Sequence, residues 1–116
     1  MKTVGLYDAA DLVLPKKVGE NCYNGMFNGC TSLVKTPKLP AMTLAAKCYE
    51  SMFYGCTALT KAPDLPATTL ASNCYRTMFC NCDGLIEAMD IIPATTLGNN
   101  CCSMMFYKCT SLTKAP

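Results

Sequence analysis

Ten cysteines and no histidine set the limits of the chemistry open to this 116-residue chain. Eight of the ten fall into one stencil, Cys-x-x-x-Met-Phe-x-x-Cys, which occurs four times. It reads Cys22/Met26/Phe27/Cys30, Cys48/Met52/Phe53/Cys56, Cys74/Met78/Phe79/Cys82 and Cys101/Met105/Phe106/Cys109. A thiol nucleophile needs a depressed pKa and a partner base. Without histidine the usual base at neutral pH is missing, together with the commonest metal ligand. Zinc sites favour Cys-x-x-Cys spacing, whereas the close pairs here are Cys80/Cys82 and Cys101/Cys102. Asp64, Glu87 and Asp90 form the only carboxylate cluster, and they lack the loop spacing and glycine of a calcium site. The sequence therefore predicts no catalytic residue, no metal and no cofactor. For the stencil cysteines three readings stay open: reduced core thiols in two columns, which the pattern favours, some disulfide, or metal. Cys80 and Cys102 lie off the two columns and are the thiols expected to be exposed or reactive.

Such residues must be positioned by a repeating element, because the leading cysteines recur at intervals of 26, 26 and 27. A fixed period of this size indicates stacked, similar coils. Within the stencil, Cys22, Tyr23, Met26, Phe27 and Cys30 are spaced i, i+1, i+4, i+5, i+8, which fits one stripe of a short helix. Gly29, Gly55, Asn81 and Lys108 stand where a left-handed residue would close that helix, and Thr43, Thr69 and Thr96 are its expected N-caps. Residues 33–39, 59–65 and 85–91 read as strands. Pro37 and Pro63 lie inside two of these runs and cannot donate to a ladder, so the strands should be about three residues long or bulged. The longer third interval is explained by the extra residue Ile92. The expected fold is an α/β repeat: a short right-handed solenoid with one short parallel strand and one short helix or turn per coil. Residues 1–13 would form an N-terminal capping segment and residues 14–116 about four coils.

Composition narrows the partners. Ten basic and eight acidic residues give a net charge of +2 with no run of either sign, so the basic stripe that nucleic acid requires is missing. No stretch approaches eighteen consecutive apolar residues, so no membrane span is expected. The first residues lack the basic region and apolar run of a secretory leader.

The run Met52-Phe53-Tyr54-Gly55-Cys56-Thr57-Ala58-Leu59-Thr60-Lys61-Ala62-Pro63-Asp64-Leu65-Pro66 resembles the BspA-like leucine-rich repeats, which share a Phe-x-x-Cys-x-x-Leu core followed by a Leu-Pro step. The resemblance extends from about Leu14 to Pro116. It implies a leucine-rich-repeat solenoid and a cell-surface or secreted protein of the adhesion type. The missing leader leaves a cytoplasmic location open, and with it an intracellular inhibitor or adaptor.

Three sets of residues are the candidate partner-binding surface. Lys35, Lys61, Glu87 and Lys114 occupy equivalent positions and should form a row across the strands, and Lys38, Asp64 and Asp90 a second. Tyr54 and Tyr107 share a position with Asn28 and Cys80; a site that tolerates asparagine is expected to be exposed. These sets point to a non-catalytic module that binds a protein partner. A further expectation is self-association through an open C-terminal coil, because a stack without a polar closing unit exposes apolar surface.

Overall fold

Left-handed backbone at every fourth residue governs the segment that carries each stencil. The computed structural model describes residues 6–116. In the first stencil Asn21, Gly25 and Gly29 have φ of 59°, 66° and 75°. The same register recurs at Lys47, Ser51 and Gly55, at Asn73, Thr77 and Asn81, and at Asn100, Met104 and Lys108. The N–H groups of Cys22, Asn24, Met26, Asn28 and Cys30 each donate to the carbonyl three residues back, at 3.0–3.3 Å. Every second residue thus closes a β-turn, and alternate turns carry positive φ at their third position, the mark of type II. The result is a ribbon of overlapping turns.

The intervening N–H groups point outward from the ribbon to the next one. Those of Asn21, Tyr23, Gly25, Phe27 and Gly29 donate to the carbonyls of Ala46, Cys48, Glu50, Met52 and Tyr54 at 2.8–3.0 Å. Residues 47–55 repeat the pattern onto residues 72–80, and residues 73–81 onto residues 99–107. Successive units therefore lie as layers in register, and like side chains form columns. Phe27, Phe53, Phe79 and Phe106 stack with centroids 5.5–5.6 Å apart and planes within 6° of parallel. Tyr23, Tyr49 and Tyr75 stack at 6.0 and 6.2 Å. These separations lie within the range favourable for aromatic pairs. Leu33, Leu59 and Leu85, with Leu39 and Leu65, complete a continuous core.

The expected α/β solenoid is overturned. Among the described residues there is no helix and no sheet; ordered pairing is limited to five isolated parallel bridges, Asp8↔Lys35, Lys61↔Glu87, Glu87↔Lys114, Thr43↔Thr69 and Thr69↔Thr96. The body is a compact globule of 33 × 27 × 19 Å with a radius of gyration of 12.7 Å, close to the roughly 13 Å of an ordinary domain of this length. The leucine-rich-repeat and adhesion readings fall with it. The physical reason lies in the period. A four-residue turn repeat and a 3.6-residue helix put the same five positions on one stripe, drifting apart by only about 80° over eight residues. The positive φ at Asn21 and Gly25 then excludes the helix. Thr43, Thr69 and Thr96, expected as N-caps, form bridges instead.

Proline explains the missing strands. Residues 36–41, 63–67 and 89–94 neither donate nor accept a backbone–backbone hydrogen bond among the described residues. On either side of these steps the layers pair only through isolated bridges and the few backbone bonds around them. Ile92 lengthens the third step, so the bridge separation grows from 26 between Thr43 and Thr69 to 27 between Thr69 and Thr96. Gly98 stands where the earlier layers have Ala45 and Ala71, and a Cβ there would run into the backbone of Ala71 and Ser72. Of the expected capping segment, residues 1–5 lie outside the described residues; beyond them Ala9 is buried and donates its N–H to the Lys35 carbonyl at 2.8 Å.

Candidate functional site

The thiols are all free, and the structure gives most of them a packing role. The Cys56, Cys82 and Cys109 thiols donate to the carbonyls of Phe27, Phe53 and Phe79 in the preceding layer, at 3.2, 3.0 and 3.1 Å. Burial pushes the Cys48 thiol up to about 11 and the Cys56 thiol up to about 12. Cys80, expected on the surface, is buried; Cys102 is exposed, yet desolvation and a 3.7 Å contact with the Cys101 sulfur push it up to about 12. Thiols shifted in this direction are protonated near neutral pH and are weak nucleophiles. No group of three or more metal-ligating side chains occurs among the described residues. The hydroxyls of Tyr49 and Tyr75 are buried without a hydrogen-bond partner among the described residues, which costs about 1–3 kcal/mol each.

The first charged row follows the bridges. Glu87 pairs through its backbone with Lys61 on one side and Lys114 on the other. Lys61 Nζ approaches Glu87 Oε1 at 3.5 Å, and Lys114 Nζ approaches Asp90 Oδ1 at 3.5 Å. Lys35 bridges Asp8, but no bridge joins Lys35 to Lys61, where two like charges would stand opposite one another. All four side chains of this row are exposed.

The second row, Lys38, Asp64 and Asp90, lies along the proline steps, and all three are exposed. Three grooves run along this edge. The first, about 590 Å³, includes Lys16, Lys38 and Pro40. The second, about 430 Å³, includes Lys38, Pro40, Asp64 and Pro66, and the third, about 310 Å³, Asp64, Pro66, Asp90 and Pro93. Neighbouring grooves share walls, so they form one furrow across successive layers. The sequence reading identified the three charges but missed the furrow, although prolines at 40 and 66, with a third at 93, signalled a recurrent edge without backbone donors.

The tyrosines divide. Tyr54 is half-buried, its phenol oxygen accepts a hydrogen bond from Asn81 Nδ2 at 3.1 Å, and the neighbouring Cys80 thiol pushes its pKa up. Tyr107 is exposed, with Lys108 Nζ 5.5 Å from its ring centroid. No helix among the described residues is long and apolar enough to cross a membrane. The chain matches no protein-family model, no curated protein and no solved structure, so the resemblance to the BspA-like repeats finds no counterpart there.

Proposed function

We propose that the chain is a non-catalytic protein-binding module whose registered layers hold charged side chains at fixed spacing for a protein partner. The observation that carries this reading is the exposed row of Lys61, Glu87 and Lys114, fixed through backbone bridges rather than through loops. A scaffold that fixes side chains before binding reduces the entropy lost on docking. Shape and charge order then supply specificity. The upward shift of the thiol pKa values supports a packing role for the cysteines over a nucleophilic one. The test is to pan a display library on the full chain and titrate selected binders against variants. Binding weakened by K61E or E87K, and unchanged by R76A on the ribbon side, is expected. Failure to select any saturable binder contradicts the reading.

A second reading, self-association, has its own observation. In the first three ribbons the alternate N–H groups all donate to the next layer. In the fourth, those of Asn100, Cys102, Met104, Phe106 and Lys108 find no backbone acceptor among the described residues. A second copy could supply acceptors to this row, as an exposed edge invites. Light scattering over a concentration series tests it: a mass that grows with concentration supports the reading, and a constant monomer mass rejects it.

A further inference from the structure

The proline edge has three features that the protein-binding reading leaves unused. It is continuous, because each groove shares Lys38 and Pro40 or Asp64 and Pro66 with its neighbour. Its backbone is unengaged: residues 36–41, 63–67 and 89–94 make no backbone–backbone hydrogen bond among the described residues, although Leu39 and Leu65 are buried. Its charges change sign along the furrow, from Lys16 and Lys38 to Asp64 and Asp90. Lys16, Lys38 and Asp64 take part in no ion pair among the described residues. Asp90 meets only Lys114, in a pair with side chains 85% and 65% exposed, which water and salt loosen readily.

We infer that this furrow docks an extended peptide that carries an acidic residue against Lys38 and basic residues against Asp64 and Asp90. The inference rests on the protein-binding reading and names the partner's chemistry. Successive layers are 5.5–5.6 Å apart at the phenylalanine column. An extended chain rises about 3.3 Å per residue and presents alternate side chains on one face, about 6.6 Å apart. That interval is close to one layer, so the matching pattern is acidic-x-basic-x-basic, in either chain direction. The peptide's own N–H groups can donate to the free carbonyls of the proline steps. The proline rings and the side chains of Leu39 and Leu65 form an apolar floor beneath it.

The test uses labelled seven-residue peptides of one composition and two charge orders, Ser-Glu-Thr-Lys-Thr-Lys-Ser and Ser-Lys-Thr-Glu-Thr-Lys-Ser. Fluorescence anisotropy against the full chain should favour the first by about tenfold. The triple variant K38E/D64K/D90K alters exposed side chains only, and an unchanged thermal midpoint verifies its fold. It should lose the preference and select Ser-Lys-Thr-Glu-Thr-Glu-Ser instead. Equal binding of the two charge orders, or a preference that survives the triple variant, overturns the inference. If library binders depend on Lys61 and Glu87 while these peptides fail, the furrow inference falls and the protein-binding reading stands. If neither class binds, both fall.

Discussion

The ribbon side and the proline edge are built from the same repeat, yet they treat their backbones in opposite ways. In the first three ribbons each N–H is committed, alternately to the turn behind it and to the next layer. On the proline edge, residues 63–67 pass beside their neighbours without a single backbone–backbone bond among the described residues. The ribbon side buries Tyr49, Met52, Phe53 and Cys56 completely; the proline edge leaves Lys38, Asp64 and Ile91 to solvent. Stability is thus concentrated where the layers interlock, and the opposite edge is free to vary its side chains without loosening the stack.

Truncation at the two places should break the symmetry most visibly. Phe53 is fully buried between two rings, and F53A should cost about 3–5 kcal/mol, whereas I91A at a residue 68% exposed should stay within about 0.5 kcal/mol. Urea unfolding of both variants checks the pair, and equal losses would refute the division. Overpacking comes next. G98A places a methyl group against the backbone of the preceding layer and should cost about 1–3 kcal/mol in the same assay.

Alkaline pH should act on the ribbon side alone. The Cys48 and Cys56 thiols titrate at about 11 and about 12 in the folded chain, against an ordinary 9.0. Between those values the folded chain keeps protons that the unfolded chain has lost. Their contribution is therefore whole below pH 9 and declines as pH rises through about 11 and 12. The urea midpoint should fall over that window, and C48A/C56A should flatten the fall. The smallest effect is a gain. Lys108 holds φ of 61° where other layers have Gly29 and Gly55, so K108G should raise stability by about 0.5–1 kcal/mol after losing its contact with Tyr107.

The sequence showed the layering and its columns, because stencil residues 26 or 27 positions apart meet in space. Gly29, Gly55, Asn81 and Lys108, expected as caps closing a helix, do take left-handed φ, but they do so within the ribbon and close no helix. The helix was misread because nine residues do not separate a period of 3.6 from one of four. The discriminating signal was Asn21, Gly25 and Gly29 at four-residue spacing, but Ser51, Thr77 and Met104 take positive φ with no side-chain preference for it. Neighbouring layers impose that conformation, and a single-residue propensity does not show it. Prolines at 37 and 63 foretold short strands; the structure reduces them to single bridges. Cys80 could not be placed from its offset alone, because the same repeat position is exposed at Asn28 and Tyr107, half-buried at Tyr54 and buried only at Cys80. The charged rows were legible as equivalent positions. The furrow along the second row was not, since it is formed by residues of neighbouring layers together.

Amide hydrogen exchange tests the central division most directly, because Leu39 and Leu65 match Phe53 and Phe79 in burial but not in backbone bonding. The Phe53 and Phe79 amides, which donate to Met78 and Met105 at 2.9 Å, should exchange at least about a hundredfold more slowly than those of Leu39 and Leu65. Equal protection at the four positions would mean that burial alone holds the molecule together, and would contradict a stack locked along one side.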